Sequence, residues 1–172
     1  MRLVQYRRKA DTSQQVQVGA LVDEQPPQQQ NHGTVLPLLL PEGVSDVRSL
    51  LTAGPTAWEN LQAQVSHYKS STSNDKSQQI VDLSTVQLLP PVHNPDKVLC
   101  VGLNYEQHCI EADKPVPAIP VIFSKFSNSL CADGDNIVLP PARITEEVDY
   151  EVELAVVVGK RLGLAELDAL EK

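Results

Sequence analysis

Alternation of apolar and polar residues predicts two strands near the start of the chain, in the segments "RLVQYR" and "VQVGALVD". Beyond residue 90 the apolar runs become richer in β-branched residues and are punctuated by proline. Three of these runs predict further strands, at Val98–Val101, Val121–Lys125 and Val148–Val158. The chain therefore combines an early strand pair with a strand-rich second part.

Between these strand-rich parts, the pattern changes to that of helices. Ser45 is a candidate N-cap for a short helix that runs through Leu51 and ends near Gly54. A second helix is predicted because four large apolar residues recur at helical spacing, and we interpret this stripe as core packing. Its members are Trp58, Leu61, Val65 and Tyr68.

These elements predict an α/β fold in two parts, with a boundary near residue 90. Residues 1–90 would form a small N-terminal α/β module with glutamine- and serine-rich loops, among them the polar, proline-punctuated loop Glu24–Thr34. Residues 91–172 would form the start of a second, catalytic domain.

Composition excludes several kinds of partner. The chain has 172 residues and a net charge of −8, so no basic surface argues for nucleic acid. No apolar run approaches the roughly 20 residues of a membrane span. Three cysteines without a C-x-x-C spacing indicate a reducing compartment rather than a disulfide framework. The N-terminus has neither a secretory signal nor an Arg/Ser-rich leader, so we expect no targeting segment in this chain.

The acidic segment "VDYEVEL" is the first candidate for chemistry. Residues two apart on a strand share a face with Cα atoms about 6.6 Å apart, so Asp149, Glu151 and Glu153 would lie together. Such carboxylates repel one another unless a cation lies between them, and Mg²⁺ prefers oxygen ligands. A solvated strand face without metal is the alternative, and the spacing alone leaves both open.

A second cluster follows the strand Val98–Val101. His108 and Glu111 are spaced i, i+3, so they share one side of a helical turn, and a carboxylate beside an imidazole suits a general base. An ordinary surface pair is the alternative. Lys125 interrupts the apolar stretch "PVIFSKFSNSL", where it either extends to solvent or faces an anionic ligand.

Four ordered segments together resemble the opening half of the fumarylacetoacetate hydrolase fold, and in particular the fumarylacetoacetate-hydrolase-domain-containing proteins. They are "DKVLCVGLNYEQHCIEA", "PVPAIPVIFSKFSNSL", "ADGDNIVLPP" and "VDYEVELAVVVGKR". The resemblance is dense from Asp96 to Arg161 and looser over the first 90 residues. It implies that residues 91–172 form the first part of a mixed β-roll.

The resemblance also implies roles for the candidate residues. Glu151 and Glu153 would be two ligands of Mg²⁺ or Mn²⁺, and His108 with Glu111 would form the base that activates water. Lys125 would lie near the substrate.

Family substrates carry a pyruvyl or oxaloacetyl group, whose keto oxygen and carboxylate chelate the metal. Polarisation by the cation then stabilises an enolate, which C–C hydrolysis, decarboxylation and keto–enol tautomerisation share. The resemblance further implies a homodimer and a mitochondrial location, with the cytoplasm as the alternative.

One departure from the family pattern leaves two functions open. The family's third metal ligand is an aspartate on a later strand, which we do not find in this chain. The first interpretation is a metal-dependent enzyme of which this chain holds part of the site. The second is a truncated, non-catalytic homologue that acts at most as a binding or oligomer partner.

We predict that the 172-residue chain is inactive toward oxaloacetate and acylpyruvates, because two carboxylates hold Mg²⁺ less tightly than three. A form extended by the missing strands should be active with Mg²⁺ or Mn²⁺. Coupled assays of both forms, with and without a chelator, check this. Chelator-sensitive activity of the short chain would contradict it, and an inactive but folded and metal-loaded extended form would favour the non-catalytic homologue.

Overall fold

The computed structural model describes residues 1–22, 33–72, 80–159 and 163. Most of the glutamine-rich loop predicted between residues 24 and 34 lies outside the described residues. The described part contains both strands and helices, so the α/β class predicted from the sequence is confirmed.

An antiparallel sheet of five strands, in the order β4-β3-β2-β1-β5, forms the N-terminal part. The early strand pair is confirmed, since β1 and β2 run antiparallel with Leu3 opposite Ala20. The strands are β1 (Arg2–Arg8), β2 (Gln17–Leu21), β3 (Thr34–Pro37), β4 (Val81–Asp82) and β5 (Val86–Leu89).

Two helices, α1 (Val47–Thr52) and α2 (Pro55–Ser70), contribute to the main apolar core together with residues of the sheet. The stripe predicted for α2 belongs to this core: Leu61 is fully buried, and Trp58, Val65 and Tyr68 pack around it. None of the described helices is long and apolar enough to cross a bilayer.

The N-terminus of α1 lies one residue later than predicted. Asp46, not Ser45, is the N-cap, and its carboxylate accepts a hydrogen bond from the backbone N–H of Ser49 at 2.7 Å. The Ser49 hydroxyl in turn accepts from the backbone N–H of Asp46, which completes a capping box. Partial burial raises the pKa of Asp46, but the hydroxyl and backbone N–H of Ser49 outweigh it and keep that pKa below its usual value.

The second part of the chain contains a two-stranded antiparallel sheet, with a short helix in the connection. Strands β6 (Val98–Gly102) and β7 (Val121–Lys125) confirm two of the predicted strands. The helix α3 (Glu106–Glu111) lies between them in sequence. The five-stranded sheet draws on residues 2–89 and this sheet on residues 98–125, while the domain boundary near residue 90 stays a prediction.

The third predicted strand, Val148–Val158, is wrong for this structure. The segment carries no strand ladder, and its apolar side chains are exposed, Leu154 at 83% and Val156 at 80%. A run of alternating and β-branched residues favours an extended backbone, but a strand also requires a partner for its N–H and C=O groups. Within the described residues, no segment pairs with Val148–Val158.

A buried glutamine joins the sheet, α1 and the start of the second part. Gln5 lies in β1 and is fully buried. Its amide nitrogen donates to the carbonyls of Pro90 and Pro91 at 2.9 and 3.1 Å. Its amide oxygen accepts from the backbone N–H of Val47, in the first turn of α1, at 3.0 Å. One side chain therefore satisfies backbone groups that no ladder or helix satisfies.

The linker between Pro91 and β6 is held in place by contacts from two parts of the chain. The guanidinium of Arg48 in α1 contacts the Asp96 carboxylate at 2.7 Å and donates to the Asn94 carbonyl at 2.9 Å. From the other side, the hydroxyl of Ser127, just after β7, donates to the carbonyl of Pro95. The start of β6 thereby has a defined position relative to α1.

We predict that Gln5→Ala lowers the free energy of unfolding by about 1–3 kcal/mol, because the buried bond to the N–H of Val47 and the partly buried bonds to the carbonyls of Pro90 and Pro91 are lost. Urea unfolding followed by circular dichroism measures this change. Gln87→Ala is the matched control, since Gln87 is an exposed glutamine on the adjacent strand β5. Equal losses in the two variants would contradict a special role for Gln5.

Candidate active site

The helix α3 begins directly after β6 because the chain turns sharply there. Leu103 adopts a left-handed conformation with φ of 50°, and Tyr105 follows as the N-cap in an extended conformation. The carbonyl of Tyr105 accepts the first helical hydrogen bond, from the backbone N–H of Cys109 at 3.2 Å. Tyr105 therefore sets the start of the helix.

Hydrogen bonds of Cys109 close this short helix at both ends. The residue is fully buried, and its thiol donates to the carbonyl of Leu103 at 3.6 Å. At the other end, the backbone N–H of Lys114 donates to the carbonyl of Cys109 at 2.8 Å, and that of Asp113 to Ile110 at 3.1 Å. With Asp113 at φ of 51°, these bonds form a Schellman motif. A helix of six residues is thus closed at both ends.

Because Cys109 is buried, His108 and Glu111, the two residues predicted to form the general base, lie on the exposed side of α3. Tyr105, His108 and Glu111 follow at intervals of three, so they lie along one side of the helix. All three side chains are exposed. The helical turn predicted for His108 and Glu111 is present, but no hydrogen bond or ion pair joins the two side chains in the described structure. Their role as a general base stays a prediction.

The three carboxylates of the acidic segment differ in their contacts. The Asp149 carboxylate accepts a hydrogen bond from the backbone N–H of Tyr150 at 2.8 Å, so it is engaged locally. Glu151 and Glu153 are exposed and form no ion pair with any residue that the structure describes. The two glutamates are therefore available to a ligand from outside the chain.

One hydrogen bond brings the acidic segment to α3. The backbone N–H of Leu154 donates to the Tyr105 hydroxyl at 3.4 Å, across 49 residues of sequence. The peptide after Glu153 therefore lies beside the N-terminus of the helix that carries His108. That the two glutamates point to the same side as His108 stays a prediction.

Lys125 lies apart from these groups in the strand pairing. It is the last residue of β7, opposite Val98, and its side chain is exposed. No ion pair joins it to an acidic residue in the described ranges. Its position near a substrate stays a prediction.

The residues present fit a hard divalent cation through the chemistry of their donors. Carboxylate oxygens are the preferred ligands of Mg²⁺, which commonly binds one or two carboxylates and keeps several waters. Glu151 and Glu153 supply two such groups. No cluster of three histidine, cysteine, aspartate or glutamate side chains suited to a metal occurs among the described residues.

Tyr105 was not among the residues singled out from the sequence. The signal was present, since "YEQHCIE" places the tyrosine three residues before His108, as His108 is before Glu111. Spacing alone gave no reason to connect that tyrosine to a segment 49 residues away, and only the hydrogen bond to Leu154 does so.

Comparison with known families matches residues 97–171 to the fumarylacetoacetate (FAA) hydrolase C-terminal domain. The matched range contains all the residues predicted for the site: His108, Glu111, Lys125, Glu151 and Glu153.

Curated relatives carry related names. "Oxaloacetate tautomerase FAHD2A, mitochondrial" of Bos taurus is 55% identical over 82 residues, which are 48% of this chain and 26% of the relative. "Oxaloacetate tautomerase fahd2, mitochondrial" of Xenopus laevis is 43% identical over 98 residues, which are 56% of this chain and 30% of the relative. "Fumarylacetoacetate hydrolase domain-containing protein 2 homolog" of Dictyostelium discoideum is 35% identical over 129 residues, 74% and 39%. The matched part of this chain thus spans between about a quarter and two fifths of these relatives.

Proposed function

This chain belongs to the fumarylacetoacetate hydrolase family, and from that membership we propose that the protein is a metal-dependent enzyme of small oxo-acids, with oxaloacetate keto–enol tautomerisation as its reaction. Relatives from cattle and frog carry the name oxaloacetate tautomerase, which supports this choice over acylpyruvate hydrolysis or oxaloacetate decarboxylation. The structural observation that carries the proposal is the hydrogen bond between Leu154 and Tyr105, because it links the acidic segment to the helix of the base.

In this proposal, Glu151 and Glu153 hold Mg²⁺ or Mn²⁺. A bound cation of this kind polarises a keto oxygen and so makes the adjacent carbon more acidic. The two glutamates would hold the cation, and their exposure would leave it accessible to the substrate and to water.

We assign the proton transfers to His108 and Glu111, the exposed pair on α3. Conversion of a keto acid to its enol removes a proton from carbon and delivers one to oxygen, so a residue that both accepts and returns a proton is needed. Imidazole does both near neutral pH, and we assign this role to His108. Glu111, on the same side of the helix, orients the imidazole. Lys125 provides a positive charge for a substrate carboxylate.

A second function remains as the alternative, in which the chain is a non-catalytic homologue that binds a partner. The observation in its favour is the exposure of apolar side chains along the acidic segment, since exposed apolar surface marks interaction sites. For the enzyme, we propose a homodimer and, from the names of the relatives, a mitochondrial location.

The reaction is tested by following the enol absorbance of oxaloacetate with a form of the protein that carries the whole C-terminal domain. We expect equilibration faster than the spontaneous rate, abolished by a chelator and restored by Mg²⁺ or Mn²⁺. Metal binding without such acceleration would contradict the tautomerase, and pyruvate release would favour the decarboxylase.

We predict that Glu151→Gln and Glu153→Gln each weaken Mn²⁺ binding by about ten-fold or more, because a neutral amide replaces a charged ligand. Titration calorimetry measures the affinity. Asp149→Asn is the matched control on the same segment, since its carboxylate is engaged with the backbone N–H of Tyr150, and we expect a smaller effect. Unchanged affinity in both glutamine variants would exclude this metal site.

We predict that His108→Ala slows tautomerisation by a factor of about 10² to 10⁴, the usual effect of removing a general base. Metal affinity should remain nearly intact, and Glu111→Ala should give a smaller loss of rate. Turnover and Mn²⁺ titrations of the same preparations check both statements. If His108→Ala weakened metal binding as much as it slowed turnover, His108 would be a ligand rather than the base.

A further inference from the structure

We propose that Tyr105 is a positioning residue, whose hydroxyl holds the metal-binding segment against the helix of the base. The inference rests on the proposed role of Glu151 and Glu153 as metal ligands. It assigns to Tyr105 a function that neither the sequence pattern nor the names of the relatives provide.

Tyr105 is well suited to this role because its backbone is fixed. Its carbonyl begins α3 through the bond from Cys109, and the buried cysteine ties the same turn to Leu103. The tyrosine side chain is half-exposed, at 46%, and projects from this fixed point. Its hydroxyl therefore has a defined position relative to His108, one turn along the helix.

The other partner of the bond is the peptide group that follows Glu153. Anchoring the N–H of Leu154 fixes the backbone where the Glu153 side chain departs. Glu151 lies only two residues before Glu153, so the same tether restricts the backbone that carries it. A single hydroxyl thereby constrains both proposed ligands.

This tie matters because it joins the acidic segment directly to α3. Among the described residues, no other hydrogen bond joins residues 148–158 to a different element. A pair of carboxylates on an untethered backbone must be ordered when the cation binds, and that ordering reduces affinity. A tether formed beforehand removes part of this cost.

The test compares Tyr105→Phe with Tyr150→Phe, in the form of the protein that carries the whole C-terminal domain. Both changes remove one phenolic hydroxyl and keep the ring. Tyr150 is the matched control, since it lies on the same acidic segment and its side chain is 82% exposed. Mn²⁺ affinity by calorimetry, and hydrogen–deuterium exchange of the metal-free peptide that contains Leu154, are the two readouts.

For Tyr105→Phe we expect Mn²⁺ affinity to fall about three- to ten-fold, the equivalent of one hydrogen bond, and the Leu154 peptide to exchange faster. The maximal rate at saturating metal should stay within about two-fold, because the base is untouched. Tyr150→Phe should leave affinity and exchange unchanged.

Several outcomes would overturn the inference. Unchanged Mn²⁺ affinity in Tyr105→Phe would do so, as would a loss of rate at saturating metal with a shifted pH profile, which would make Tyr105 a catalytic residue. Equal effects in both phenylalanine variants would also contradict it. The two proposals fail separately: a form that shows the Tyr105 effect on metal affinity without tautomerase activity refutes the reaction but supports the positioning role.

Discussion

The arrangement of the described chain depends on the requirement that buried amide groups find hydrogen-bond partners. The fully buried Gln5 meets this requirement for its own side-chain amide and for the buried N–H of Val47 at the start of α1, with the carbonyls of Pro90 and Pro91 in the linker as its acceptors. Since an unsatisfied buried group costs more free energy than a typical hydrogen bond contributes, the arrangement of these elements is strongly favoured. After Pro91 the linker continues to β6, and hydrogen bonds from Arg48 and Ser127 hold this part of the linker in place.

A small number of hydrogen bonds also determines the arrangement of the candidate site. Cys109 is the buried centre of α3, and the helix turns around it so that Tyr105, His108 and Glu111 face outward. The acidic segment then reaches this exposed side through one hydrogen bond to Tyr105. A short helix with both ends closed provides the rigidity that a catalytic group would require, while the acidic segment provides two carboxylates, Glu151 and Glu153, that form no ion pair within the described residues.

The sequence predicted the elements whose signals are local. β1, β2, β6 and β7 were recognised from alternation and β-branched content, and α2 from its apolar stripe. The N-cap of α1 was misplaced by one residue because serine and aspartate cap equally well, and only the reciprocal bond with Ser49 distinguishes Asp46. The strand predicted for Val148–Val158 failed because extended propensity does not provide a partner strand.

For the site, the residue types and their spacing were sufficient to identify two candidate clusters, and the ordered segments that contain them resemble the family. The sequence by itself determined which side chains carry the oxygen donors that a hard cation prefers and which pair shares a helical turn, because these follow from residue type and local periodicity. Only the tertiary structure decided that the acidic segment contacts α3 through Tyr105, and that Asp149 is engaged while Glu151 and Glu153 are free of described ion pairs. Contacts between residues 49 apart depend on how the chain turns at Leu103 and beyond, and no local pattern encodes that distance.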